Sequence, residues 1–140
     1  MIQALVQNES NSKKIFGLLG SWLTSKKVHD ELGMAITSQD NDIWYIKIEN
    51  DTVLGFSLTR FIKSTNAIHV RFLFGEYSIK KELLKEIIKN AKKEKIKSVW
   101  TNDRKTEKLW KEQKFLATIR ARGEFCRWEK DLINKKGSTK

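Results

Sequence analysis

Between residues 42 and 94 the hydrophobic period switches from two to nearly four, and that switch restricts the chain to few folds. "DIWYIKIEN", "TVLGFSLTRFIKS" and "NAIHVRFLF" are rich in β-branched and aromatic residues and are broken by the turn signals Asn50-Asp51 and Asn66. They read as three consecutive antiparallel strands. In the first, alternation sets Trp44, Ile46 and Ile48 on the face toward a helix layer, and Ile43, Tyr45, Lys47 and Glu49 on the other. From Ser78, the apolar positions Ile79, Leu83, Ile87 and Ala91, with Leu84 and Ile88 beside them, make a wide stripe on a helix reaching about Glu94.

The flanks complete the order. "IQALV" is short and apolar enough for an edge strand, and "NSKKIFGLLGSWL" is a helix that Ser12 would N-cap. A second helix, "SKKVHDEL", ends at Gly33, where a left-handed cap is natural. After the long helix, "IKSVW" is a strand and "RKTEKLWKEQK" a short helix. "FLATIRA" and "EFCRWEKDL" are two strands meeting at Arg122-Gly123. With no repeat, linker or proline to divide it, the chain reads as one α/β (α+β) domain over 1–132 with a frayed basic tail at 133–140. The order is β-α-α-β-β-β-α-β-α-β-β, a mixed, mostly antiparallel sheet flanked by helices.

Composition removes several classes of function. Cys126 is the only cysteine, which excludes an internal disulfide and a cysteine zinc site, and His29 and His69 stand far apart, so no metal centre is expected. No apolar run approaches the roughly 18–20 residues of a membrane span, and the expectation is a soluble, cytoplasmic protein. The balance of 28 Lys and Arg against 17 Asp and Glu, a formal charge of +11, creates a field that attracts polyanions: DNA, RNA or phosphorylated cofactors. Solvated lysines of a Lys-, Ile- and Asn-rich chain are the competing explanation of that charge.

The stretch "FGEYSIKKELLKEIIKN", 74–90, carries the one cofactor signal. A turn running into a helix converges backbone amides on an anion, and the helix dipole adds to their pull. Ser78 as N-cap would leave the amides of Ile79, Lys80 and Lys81 available, with both lysines adding positive charge, while Glu76 sets a carboxylate nearby.

Element order and local pattern together resemble the GNAT superfamily of acyl-CoA-dependent N-acyltransferases over nearly the whole chain. "IHV" at 68–70 looks like the end of the family's fourth strand, and "GEYSIKKELLKEII" stands where its pyrophosphate loop and helix stand. "NDRKTEKLWKEQKF" looks like its second signature and "FLATIRARGEFCRWEKD" like its last hairpin. The resemblance implies acyl-CoA, in the simplest case acetyl-CoA, lying between the fourth and fifth strands. Val70, Phe72, Gly75, Ser78, Ile79, Lys80, Lys81 and Asn102 would then hold the cofactor. It also shows departures: neither signature glycine of the loop is present, Trp110 occupies the usual position of a proton-donating tyrosine, and Lys114 replaces the glycine before Phe115.

Acyl transfer to an amine needs a group that takes the amine's proton, and Glu49 and His69 are the candidates; Tyr77 offers a phenolic proton near the loop. Trp110 and Trp128, with Arg120, Arg122, Arg127 and Lys130, suggest a second chemistry, aromatics stacking bases while cations hold phosphates. Two alternatives therefore stand beside the acyltransferase: a relative of the phage Mom type, which has GNAT-like architecture and modifies DNA bases, and a non-catalytic domain binding nucleic acid or protein. The expected partners are acyl-CoA and an amine acceptor, with nucleic acid as an option, on a monomer or homodimer with no membrane association.

Overall fold

The computed structural model describes residues 1–32, 36–104, 107–117 and 125–133. Its elements are β1 (Ile2–Val6), α1 (Glu9–Leu23), α2 (Lys26–Leu32), β2 (Ile43–Glu49), β3 (Thr52–Ile62), a 3-10 turn (Lys63–Thr65), β4 (Ala67–Phe74), α3 (Tyr77–Lys93), β5 (Ser98–Arg104), α4 (Lys108–Glu112), β6 (Leu116–Ala117) and β7 (Phe125–Asp131). This is the expected order. The sheet has seven strands in the order β1-β2-β3-β4-β5-β7-β6. β4 and β5 are parallel, while β1–β2, β2–β3, β5–β7 and β6–β7 are antiparallel. The fold is therefore mixed α/β with a mostly antiparallel sheet.

By contact density the chain forms two compact units, Met1–Arg60 with Arg71–Glu86, and Phe61–Val70 with Ile87–Lys140. In the first, Trp44, Ile46, Phe56, Leu58 and Phe72 pack with Ile15 and Leu19 of α1 and Val28 of α2. Burying each such side chain contributes about 1.5–3 kcal/mol before chain entropy is subtracted. The hairpin that starts this layer is set by Asn50 and Asp51, both left-handed at φ 51° and 63°, the two-residue turn whose twist matches the flanking strands. In the second unit Val70, Ile87, Ala91, Val99, Leu109, Trp110, Phe115, Cys126 and Trp128 are buried.

Four local expectations change. α1 starts at Glu9, because the extended Asn8 accepts the Asn11 N–H at 2.8 Å and caps the helix; Ser12 lies inside its first turns. α3 starts at Tyr77 rather than after a Ser78 cap: the Lys80 N–H already donates to the Glu76 carbonyl at 2.9 Å. β5 runs on to Arg104, since every residue from Ser98 to Arg104 has a partner on β7, and this puts Asn102 on a strand. The face of β2 that alternation leaves polar is covered as well: Tyr45 and Lys47 are buried, and Lys47 meets Glu82 of α3. The expected helix end at Gly33, the turn at 122–123 and the tail beyond Ile133 fall outside the described residues.

Candidate functional site

The start of α3 is the most constrained backbone in the first unit. Gly75 leaves β4 with φ 140°, a value L side chains rarely adopt, and Gly55 of β3 lies against it. A Cβ on Gly55 would stand 2.5 Å from the Phe74 carbonyl oxygen and 2.7 Å from the Ile79 side chain. A Cβ on Gly75 would meet the same Ile79 side chain at 3.1 Å. Two glycines and one isoleucine thus bring strand, turn and helix into close contact. A glycine inside a strand pattern signals such an approach, and Gly55 carried that signal in the sequence.

Because the first intrahelical bond is Lys80 to Glu76, the amides of Tyr77, Ser78 and Ile79 have no acceptor within the helix. Of the expected set Ile79, Lys80 and Lys81, only the Ile79 amide stays available to an anion, and Tyr77 and Ser78 join it. Lys80 and Lys81 follow half-buried, and Ser78 and Tyr77 are exposed.

Further along α3, Glu82 reaches β2. Lys47 Nζ lies 2.7 Å from Glu82 and 3.6 Å from Glu49, with only 10% of its side chain exposed. The hydrogen bond to Glu82 holds the ammonium above the usual lysine value against the opposing pull of burial. Glu49 is 57% exposed and shares the Lys47 charge. The pairing of Lys47 with Glu82 was not read from the sequence; a lysine at the centre of an apolar strand was its only trace. Phe72 is part of the core, and its carbonyl accepts the Ser57 hydroxyl at 2.7 Å.

In the second unit the ladder between β4 and β5 pairs Ala67, Ile68 and His69 with Ser98, Val99 and Trp100. The Val70 carbonyl next in line accepts the Thr101 hydroxyl at 2.8 Å. His69 stacks on Trp100 with ring centroids 3.8 Å apart and planes 6° from parallel, and from β7 the Arg127 guanidinium sits 3.9 Å from the same indole. Arg127 also pairs with Glu129 at 3.4 Å, while its Nε is buried without a hydrogen-bond partner among the described residues. Asn102 is exposed directly across from Arg127.

The aromatic candidates for base stacking change places. Trp128 is 7% exposed and its indole N–H donates to the Arg104 carbonyl at 3.2 Å, so it has no open face to offer a base. Trp110 is buried too, its N–H bonded to Asp103 at 2.8 Å, which makes it a brace between α4 and β5. Arg120 and Arg122 lie outside the described residues. Lys114 is explained by the backbone: it is left-handed at φ 71° after α4, its N–H donates to the Lys111 carbonyl, and the Phe115 N–H donates to the Trp110 carbonyl. This is a helix-terminating motif that favours glycine, with Phe115 packed edge-on against Trp110 at 5.1 Å.

No protein-family model and no curated protein matches the sequence. Solved structures do match in fold. An acetyltransferase of the GNAT family from Staphylococcus aureus Mu50 is similar at 13% identity and a TM-score of 0.63, covering 94% of this chain and 99% of that one. The aminoglycoside 6'-N-acetyltransferase of Enterococcus faecium is similar at 12% identity and TM-score 0.66, covering 96% and 98%. The N-acetylglutamate synthase of Neisseria gonorrhoeae, solved with coenzyme A and N-acetylglutamate, is similar at 10% and 0.60, covering 94% of this chain and 35% of that one. Order, topology and these likenesses agree: the chain has the GNAT acetyltransferase fold.

Proposed function

We propose that the protein is an acyl-CoA-dependent N-acyltransferase that passes an acyl group, acetyl in the simplest case, to an amine. One observation carries this reading: the α3 N-terminus presents the amides of Tyr77, Ser78 and Ile79 beside a turn kept narrow by Gly55 and Gly75. The fold likeness supports it. Three amides at the positive end of a seventeen-residue helix, followed by Lys80 and Lys81, suit the diphosphate of CoA. Glycine is needed where a side chain would strain the turn, and Gly75 supplies that; the amides need only open access, which exposed Ser78 and Tyr77 leave.

When bound, acyl-CoA supplies a thioester carbon open to attack by an amine. The residues we assign to the chain's share of the work are Glu49, which takes the ammonium proton through its open carboxylate, and Tyr77, whose phenol stands exposed beside the amides. His69 is a second base candidate, with its ring plane fixed by Trp100. Val70, Phe72 and Asn102 are assigned to the pantetheine arm from the resemblance.

A pair of substitutions separates backbone from side chain. Proline is tolerated at the first position of a helix and deletes its N–H. Calorimetry should show Tyr77→Pro binding acetyl-CoA about tenfold or more weakly, the scale of losing a hydrogen bond to a charged group, with Tyr77→Ala close to the parent. Equal affinities in the two variants would rule out the amide site.

A further inference from the structure

Asp42 stands just before β2 and is 2% exposed. One of its carboxylate oxygens accepts the Arg60 Nε–H at 2.8 Å; the other accepts from Arg60 Nη2 at 2.9 Å and from the Gln39 backbone N–H at 2.9 Å. Both oxygens are engaged, so this carboxylate has nothing left for a second cation. Yet a second guanidinium is near. Arg71 lies on β4, the neighbour of β3 in the sheet, half-buried and within the field of Arg60. The Ser57 hydroxyl on the Phe72 carbonyl ties the two strands together beside it. Among the described residues Arg71 has neither an ion-pair partner nor a side-chain hydrogen bond, and its guanidinium carbon lies 5.4 Å from the centre of the Phe72 ring. Burial lowers its pKa most, repulsion from Arg60 lowers it further, and Asp42 restores only part. The proton stays all the same, because a guanidinium does not deprotonate in a protein. Two guanidinium groups thus face one carboxylate, with one positive charge in excess.

We propose that Arg71 binds a carboxylate of the acceptor, so that the amine this chain acylates belongs to a molecule that also carries a carboxylate, as an amino acid does. The proposal rests on the acyl-transfer reading and names its acceptor class. One carboxylate balances the single excess charge, and the planar fork of a guanidinium matches it through two parallel hydrogen bonds. A phosphate dianion would turn the cluster net negative in a half-buried place. The fork of Arg60 is already filled by Asp42, which leaves that of Arg71 for the ligand. Position separates this anion from the cofactor's. Arg71 stands between Val70 and Phe72, both assigned to the pantetheine arm, and four residues before Gly75, about 13 Å of strand from the turn into α3. A diphosphate held by the first amides of α3 does not extend that far back along β4. The anion at Arg71 therefore belongs to the other substrate.

Side-chain nitrogen-15 NMR of the full-length protein tests carboxylate binding without turnover. The Arg71 Nε–H signal, identified by its absence from Arg71→Lys, should shift saturably with at least one of glycine, β-alanine and 4-aminobutyrate. The matching amides at equal ionic strength should leave it in place. Acyl transfer is read separately, as thiol release from acetyl-CoA. The acid that shifts the signal should exceed its amide by about tenfold or more in kcat/KM, the scale of a hydrogen bond to a charged group, and Arg71→Met should erase that ratio. Arg71→Met should also keep the parent's thermal midpoint or raise it, because no internal partner is lost. A saturable shift with no thiol release would retain the carboxylate site and refute the acyl-transfer reading. The proposal itself is overturned if none of the acids shifts the signal, if amides are acylated as readily as acids, or if Arg71→Met melts lower than the parent, which would make Arg71 a structural residue.

Discussion

Single residues set the tightest limits in this molecule. Gly55 has no room for even one methyl group, because the nearest atom in its way is a backbone oxygen that cannot swing aside. Gly55→Ala should cost about 2–3 kcal/mol, the scale of overpacking in a filled core, and urea denaturation would report it as a lower midpoint with an unchanged slope. Lys47 makes a prediction in pH. Its folded-state pKa is raised, so the stability it contributes is full below the unfolded value of 10.5 and is lost as pH climbs past the folded value. The parent should therefore stay more stable than Glu82→Gln across neutral pH, and the gap should close only in alkali above that point; a gap already closed at pH 8 would mean the pair is not formed.

At the scale of elements, the helix ends show what the sequence disclosed and what it hid. The strands and the long helix were legible because their apolar periods are long and unbroken, and Asn50-Asp51 announced its turn. The caps were harder to read, since Asn8, Ser10 and Ser12 all carry cap chemistry within five residues and only backbone geometry chooses Asn8. The helix ends near Glu94 and Lys114 were legible in position, but the left-handed lysines that close them, Lys95 and Lys114, were not. Both lysines are left-handed, at φ 60° and 71°, and both close the same pair of terminating bonds. A side chain at such a position adds strain that glycine avoids. Lys114→Gly should therefore raise unfolding free energy by about 1 kcal/mol, measurable as an upward shift of the thermal midpoint. Lowered stability would show that the Lys114 side chain makes a contact worth more than that strain.

For the whole molecule, fold and site were legible to different degrees. The order of strands and helices followed from period and turn residues, which act locally. The site depends on contacts between residues far apart in sequence: Lys47 with Glu82, His69 with Trp100, and Gly55 with Ile79. None of these leaves a periodic trace. Trp128 and Phe125 illustrate the difference, because their positions in the strand were evident, yet which of them lay buried depended on which sheet face α4 covers. Among the described residues no helix is long and apolar enough to cross a membrane.

Grip of an acyl-CoA diphosphate by the start of α3 must show in the thermal midpoint of the parent protein with acetyl-CoA. A ligand at about a hundred times its dissociation constant adds about 2.7 kcal/mol to the folded state, which for a chain of this size raises the midpoint by roughly 5–10 °C. The midpoint should rise by that much in the parent and not in Lys80→Glu; a parent midpoint that does not move at millimolar acetyl-CoA would mean that the α3 start holds no acyl-CoA.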